Sequence, residues 1–216
     1  MFNNKVVDTY SKIHNPIRYT NDNLVSFDGS QIQSEFFRAW DSIQNYYSKH
    51  KPKKLSFLEI GAWKGLWGIA FSEFCNMNSI EGAYATITLI DDNAHNNSLY
   101  NTFAYLKSNN INTFLVNGDS TLDTSLSSLL EFSKKYNIVF IDGSHKYDSV
   151  MSDISKYSKL ATDILIFHDI RPKNKNKDIG VYSAIIDSNI ILDEEIVTKE
   201  NLMGIGLKYV TSNTKP

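Results

Sequence analysis

Two short runs carry the side chains best suited to chemistry. Asp142-Gly143-Ser144-His145 follows the apolar run Ile138 to Ile141, and His168-Asp169 follows Ile164 to Phe167. Apolar runs of that length, closed by turn residues, read as buried strands. In an open α/β sheet the carboxyl ends of the strands converge on one crevice, so Asp142, His145, His168 and Asp169 are expected within a few ångströms of one another. Two carboxylates and an imidazole form a ligand set for a divalent cation, and an oxygen-rich mixture favours magnesium or manganese over zinc. The pattern leaves open which of the two imidazoles would join Asp142 and Asp169.

The elements that must position these groups begin at FLEIGAWKG, Phe57 to Gly65. Leu55, Phe57, Leu58 and Ile60 suit a strand covered on both faces, Gly61 and Gly65 bracket a tight turn, and Leu66, Trp67, Ile69, Ala70 and Phe71 continue at helical spacing. A strand, glycine turn and helix of this kind place a nucleoside-like ligand at the strand's carboxyl end. A dinucleotide fingerprint needs glycine at the first, third and sixth positions, which here hold Gly61, Trp63 and Leu66, and Trp63 would crowd a pyrophosphate. No GxxxxGK[ST] run is present either, which excludes a P-loop. Ala85 to Asp91 reads as a second strand ending in adjacent carboxylates. Asp91, nearer the strand, can accept from both hydroxyls of a ribose, while Asp92 suits a cap or loop. Thr113 to Val116 reads as a third, ending in Asn117-Gly118-Asp119-Ser120, where Asp119 suits either a ligand contact or a turn aspartate that starts the next helix.

The glycine turn resembles motif I of the class I S-adenosylmethionine (AdoMet) methyltransferases. Taken together, FLEIGAWKG, the acidic end of TLIDD, NGDS, IDGSHKYDSVMSDI, FHDI and the late GIGL are similar to the cation-dependent O-methyltransferases. The likeness is to the catechol O-methyltransferase type and especially to the macrocin-type sugar O-methyltransferases with their cephalosporin-hydroxylase-like relatives. It extends over about residues 25 to 210. The resemblance implies a Rossmann-like fold with a seven-stranded, mostly parallel sheet, helices on both faces and a final antiparallel strand. It implies an AdoMet site at Glu59, Gly61, Ala62, Trp63, Gly65, Asp91, Gly118, Asp119, Ser120 and Asp142, with Asp119 on the adenine amino group. It also implies a magnesium or manganese site at Asp142, His168 and Asp169, where His168 departs from the carboxylate of metal-binding members and should weaken magnesium. His145 takes the place of the family's general base and, with Asp142, forms the catalytic pair. An ordinary imidazole, with a pKa of about 6.5, accepts a proton at neutral pH. The activity implied is methyl transfer to a hydroxyl of a small molecule, a saccharide or other polyhydroxylated acceptor. Transfer to another oxygen or to nitrogen without metal, a nucleotide-dependent oxidoreductase and a non-catalytic AdoMet-binding module are the rival readings.

The remaining features bound the answer. A chain of 216 residues with 42% hydrophobic content supports one well-buried core. Residues 1–50 are expected to form a helical cover belonging to the same domain as the methyltransferase unit, 51–216. A net charge of −2 calls for neither nucleic acid nor an anionic membrane. The start MFNNKVVDTYSKIH lacks a signal-peptide core, and no run approaches the roughly 18 apolar residues of a membrane span, so a soluble cytoplasmic protein is expected. Cys75, the lone cysteine, reads as a buried structural thiol.

Strands are expected near residues 55–60, 85–91, 113–117, 137–142, 162–168, 190–197 and 203–210, with helices near 65–76, 95–109, 122–135, 147–159 and 180–188. In QIQSEFFRAWDSIQNYYSKH, Phe36, Phe37, Trp40, Ile43 and Tyr47 fall at helical spacing behind a cap at Ser30. Val25 and Ser26, just before it, are expected to line the AdoMet site by the resemblance. Exposed aromatics in this segment would suit contact between two copies of the chain. His14, His50 and His95 are expected at the surface. The basic loop holding Lys173, Lys175 and Lys177 reads as solvated, or as a lid over an anionic part of the acceptor.

Overall fold

The computed structural model describes residues 1–14, 18–19, 25–27, 31–90, 95–171, 180–197 and 203–210. Seven strands form the main sheet: β4 (Lys54–Ile60), β5 (Glu81–Thr88), β6 (Asn112–Asn117), β7 (Tyr136–Ile141), β8 (Ala161–His168), β9 (Glu194–Ile196) and β10 (Ile205–Tyr209). Before them come helix α1 (Phe2–Ile13), a small sheet of β1 (Arg18–Tyr19), β2 (Val25–Phe27) and β3 (Gln31–Ile32), and helix α2 (Gln33–His50). Helices α3 (Leu66–Asn78), α4 (His95–Ser108), α5 (Asp123–Phe132), α6 (Tyr147–Tyr157) and α7 (Val181–Asp187) connect the strands.

The main sheet runs in the order β6-β5-β4-β7-β8-β10-β9. Pairing is parallel from β6 through β8, and β10 lies antiparallel between β8 and β9. The expected seven-stranded sheet with its antiparallel final strand is thus present. The chain leaves β4 toward β5 and β6 on one side and returns to β7 on the other, so the order reverses at the β4–β7 junction. A crevice opens outside the carboxyl ends of the strands at such a reversal, because the two connections depart to opposite sides.

Alternating residues divide the core between the two faces. Phe57, Tyr84, Phe140 and Ile166 join Trp40, Trp67 and Phe71 in one cluster, while Leu58, Ala85, Val139 and Leu165 join residues of α5, α6 and α7 in the other. Burying a phenylalanine or leucine is worth about 1.5–3 kcal/mol, so this two-sided packing fixes the register and hence which residues reach the strand ends. Helix α3 is apolar nearly all round, with every residue from Leu66 to Cys75 buried, as a helix enclosed on several sides must be. Burial pushes the Cys75 thiol up to about 12, in keeping with an inert side chain.

Several expectations are corrected. The second strand ends at Thr88 rather than Asp91, because its ladder is set by pairing from Lys54↔Glu81 to Ile60↔Ile87 with β4 and ends at Thr88↔Asn117 with β6. The strand expected at 190–197 is confined to Glu194–Ile196, since Ile191 projects into solvent. Ser30 lies outside the described residues, and α2 begins only at Gln33, because Gln31 and Ile32 pair with Phe27 and Ser26. Helix α1 falls within the helical cover expected over residues 1–50, whereas the three-stranded sheet there differs from it. Phe2, Val6 and Tyr10 fall at four-residue spacing and are buried against the body of the protein. On α2, Phe36, Trp40, Ile43 and Tyr47 are buried in the chain's own core and Phe37 packs beside them, which removes the exposed aromatic surface on which a dimer was argued. No helix among the described residues is long and apolar enough to cross a membrane.

Candidate active site

Three left-handed residues shape the turn after β4: Gly61 at φ 88°, Trp63 at φ 48° and Gly65 at φ 77°. Gly61 is required by proximity as well as by backbone angle, since a Cβ there would stand 2.1 Å from the Asp142 carbonyl oxygen. The Gly61 amide donates to the Ile87 carbonyl at 2.9 Å and the Asp142 amide to the Ile60 carbonyl at 2.9 Å, which locks the turn and Asp142 together at the β4–β7 junction. Trp63 adopts the left-handed angle without being glycine, and its half-exposed ring stands at the cavity edge.

A cavity of about 750 Å³ opens here. Its wall includes Glu59, Gly61, Ala62 and Trp63 from the first strand and turn, Gly118, Asp119 and Ser120 from the loop after β6, and Asp142, His145, His168 and Asp169 from the ends of β7 and β8. Of the expected cofactor residues, Gly65 does not line the cavity and instead caps α3. Asp91 lies outside the described residues, as do the side chains of Val25, Ser26 and His95 and the lysines at 173, 175 and 177. Asp119 Oδ1 accepts from the Thr121 amide at 2.8 Å and hydroxyl at 2.7 Å, which holds its carboxyl below the usual range. One oxygen thus serves the turn while the residue still faces the cavity, so the two readings of Asp119 are compatible. Glu59 is buried and accepts a short hydrogen bond from the Tyr84 hydroxyl. Burial pushes its carboxyl well up against the opposing effect of that bond, and the charge of Asp142 adds to the rise.

The catalytic candidates form a compact cluster. His145 Nε2 lies 2.9 Å from Asp169 Oδ2 and 3.7 Å from Asp142 Oδ1. His168 Nδ1 donates to Asp142 Oδ1 at 3.1 Å and stands 3.4 Å from Asp169 Oδ1. His168 and Asp169 are buried, whereas the His145 side chain is 44% exposed and reaches the cavity. The adjacent carboxylates of Asp142 and Asp169 raise the His145 pKa to about 10, against desolvation. Burial alone would lower His168, but Asp142 and Asp169 outweigh it and raise the imidazole to about 9. Burial would likewise raise Asp142, yet the two imidazoles hold its carboxyl below the usual range. With two carboxylates beside it, His145 holds a proton more tightly than an ordinary imidazole. Asp142, His168 and Asp169 each offer a donor atom, all within 4.8 Å of one another, and with His168 deprotonated two carboxylate oxygens and one imidazole nitrogen would suit a divalent cation.

Residues that sequence spacing did not single out complete the wall: Tyr10 from α1, Lys64 in the turn, Leu89 after β5, Lys146 and Ser149 around the start of α6, and Met203 before β10. Tyr10 and Met203 come from the two ends of the chain, and no local pattern marks them as neighbours of the glycine turn. His14, expected at the surface, is buried.

The architecture has known counterparts. Among solved structures, CalS11, described as a TDP-rhamnose 3′-O-methyltransferase of calicheamicin biosynthesis, is similar over 96% of this chain and 92% of its own, at 12% identity and a TM-score of 0.59. PaMTH1, a Podospora anserina methyltransferase bound to S-adenosylhomocysteine, is similar over 94% of this chain and 86% of its own, at 13% identity and a TM-score of 0.57. MycE of mycinamycin biosynthesis, in complex with magnesium, S-adenosylhomocysteine and mycinamycin VI, is similar over 98% of this chain but only 57% of its own, at 13% identity and a TM-score of 0.53. At these identities the likeness is one of fold. No curated protein matches the chain in sequence. A family model for a methyltransferase domain, however, matches residues 58–170, from the strand before the glycine turn to the residue after Asp169. With just over half of its length in that match, the chain belongs to the methyltransferase-domain family.

Proposed function

We propose that the protein is an AdoMet-dependent O-methyltransferase acting on a hydroxyl of a small saccharide or polyhydroxylated acceptor, with a divalent cation at Asp142, His168 and Asp169. The observation that carries this reading is the carboxylate–imidazole cluster on the wall of the same cavity as the glycine turn. The sugar-related acceptors named for CalS11 and MycE favour an oxygen acceptor of that class. Residues 1–50 belong to this reading as a cover over the cofactor side, and the small-molecule acceptor suits a cytoplasmic enzyme.

AdoMet, when bound, supplies an electrophilic methyl carbon. Glu59 through Trp63, Asp91 at the ribose hydroxyls, and Gly118, Asp119 and Ser120 beside the adenine would hold it, and the carbon–sulfur bond would break to leave S-adenosylhomocysteine as the methyl moves to the acceptor oxygen. The acceptor oxygen must lose a proton as its bond to carbon forms. His145 is the cluster's exposed imidazole and takes that proton in its base form, while Asp142 orients it and His168 together. A cation held by Asp142, His168 and Asp169 would supply Lewis acidity that lowers the pKa of the acceptor hydroxyl.

Calorimetric titration with AdoMet and S-adenosylhomocysteine, with and without magnesium or manganese, tests the reading, with Asp91→Ala as control. Micromolar binding that the control loses, together with methyl transfer to a panel of sugar hydroxyls that Asp142→Asn abolishes, is the expected result. Absence of binding by the unaltered protein under every condition refutes it.

A further inference from the structure

The cofactor turn is held from outside by a chain of hydrogen bonds that begins in the N-terminal helix. Lys64 lies between the left-handed Trp63 and Gly65, at the apex of the turn. Its carbonyl accepts from the Thr102 hydroxyl at 2.6 Å, and the His14 Nε2 stands 3.0 Å from that same hydroxyl oxygen. The single hydroxyl proton of Thr102 goes to Lys64, so the imidazole must supply an N–H at Nε2, and the direction of the chain is fixed: His14 to Thr102 to Lys64. Thr102 also packs on the turn, with its methyl 2.7 Å from where a Cβ on Gly65 would lie. Both His14 and Thr102 are buried. Buried hydrogen-bonded chains rigidify what they touch, because breaking one link leaves polar groups without solvent.

We infer that His14 is a positioning residue for the cofactor turn, and that α1 is a working part of the cofactor site. One helical turn before His14, Tyr10 lines the cavity and packs against the His14 ring at a centroid separation of 4.6 Å. Helix α1 is seated by a separate anchor on α3: Lys5 Nζ lies 3.0 Å from Glu73 Oε2 and the Thr9 hydroxyl donates to Glu73 Oε1 at 2.9 Å. Glu73 also accepts from the Tyr105 hydroxyl on α4, the helix that carries Thr102, so the seat fixes α1 and α4 together, with the Lys5 ion pair on its α1 side. This assignment rests on the turn being the cofactor site, as proposed above, but its mechanical part does not require a ligand.

The test uses the full chain with His14→Leu, His14→Gln, the near-isosteric Thr102→Val, and Lys5→Met as a variant that loosens only the α1 side of the seat. Two readouts are taken: deuterium uptake of the 61–68 segment without ligand, and affinity for S-adenosylhomocysteine. Loss of one buried hydrogen bond should weaken affinity about five- to tenfold and speed exchange of that segment by a similar factor. His14→Leu and Thr102→Val are expected to do both, and His14→Gln, whose amide N–H reaches the same oxygen, to restore both. Unchanged uptake and affinity in Thr102→Val overturn the inference. So does failure of His14→Gln to rescue, or an equal effect of Lys5→Met, which would make seating of α1 the cause. If the unaltered protein binds no S-adenosylhomocysteine, the methyltransferase reading fails, and the exchange data still decide the relay.

Discussion

Replacing Gly61 by alanine should cost both stability and ligand binding, because one methyl group would be placed inside the backbone of the neighbouring strand end. The added Cβ would stand 2.1 Å from the Asp142 carbonyl oxygen, 2.7 Å from its carbon and 2.8 Å from the Gly143 Cα. Ordinary carbon contacts lie near 3.5 Å, so the ends of β4 and β7 must part by roughly 1 Å. That separation strains the bond from the Asp142 amide to Ile60, worth about 1 kcal/mol. Holding alanine at φ 88° adds about 1–2 kcal/mol, and overpacking between backbones adds about 1–3 kcal/mol. The total, about 3–6 kcal/mol, lowers Tm by roughly 6–24 °C in a chain of this size. Asp142 moves with the strand end, so affinity for S-adenosylhomocysteine should fall at least about tenfold, a difference of about 1.4 kcal/mol. Gly118→Ala is the comparison, because its Cβ meets only the Ser125 hydroxyl at 2.8 Å and a serine rotamer can yield; its cost should stay below about 1 kcal/mol. Calorimetric scanning and titration of both variants decide the matter. A Gly61→Ala protein that melts within about 2 °C of the parent and binds equally well would refute the argument from backbone proximity.

Two further outcomes follow from the cluster. The folded-state pKa values of His145 and His168, about 10 and about 9, lie above the unfolded value, so their stabilising contribution is complete below about pH 6.5 and is lost as pH rises through 9 to 10. In EDTA, Tm should therefore decline over that window and His145→Gln should flatten the decline, while the methyl-transfer rate of the parent rises with pH as the base form of His145 accumulates; a pH-independent rate would remove His145 from the proton transfer. His168→Asp would bring a third carboxylate beside Asp142 and Asp169, so the variant should lose stability in EDTA and regain it with magnesium, which the parent should bind at least about tenfold more weakly in calorimetric titration. Equal magnesium affinity in the two proteins would show that the imidazole does not govern metal choice.

Much of this molecule was written into local pattern. Apolar runs closed by turn residues marked six strands of the main sheet, though the apolar stretch at 190–192 stops short of β9, and the glycine spacing of FLEIGAWKG marked the turn, because strand burial and left-handed backbone are short-range demands met by residue type alone. The same logic placed Asp142, His145, His168 and Asp169 together, since parallel strands deliver their carboxyl ends to one edge. Where local and long-range demands compete, the sequence was less informative. The second strand stops at Thr88 because its partners end there, and Gln31 and Ile32 form a strand because Ser26 and Phe27 are available to pair.

Only the tertiary structure decided the states of the groups so assembled. The proton affinity of His145 is raised because two carboxylates that follow different strands lie beside it, and a charge interaction across strands has no signature in residue spacing. The burial of α2's aromatics in the chain's own core, the seating of α1 on Glu73, and the reach of His14 through Thr102 to the cofactor turn likewise depend on contacts between distant parts of the chain. Sequence thus determined which chemical groups stand at the strand ends, through backbone preference and burial. Packing decided their protonation and what holds them still, because electrostatics and close contact act through space rather than along the chain.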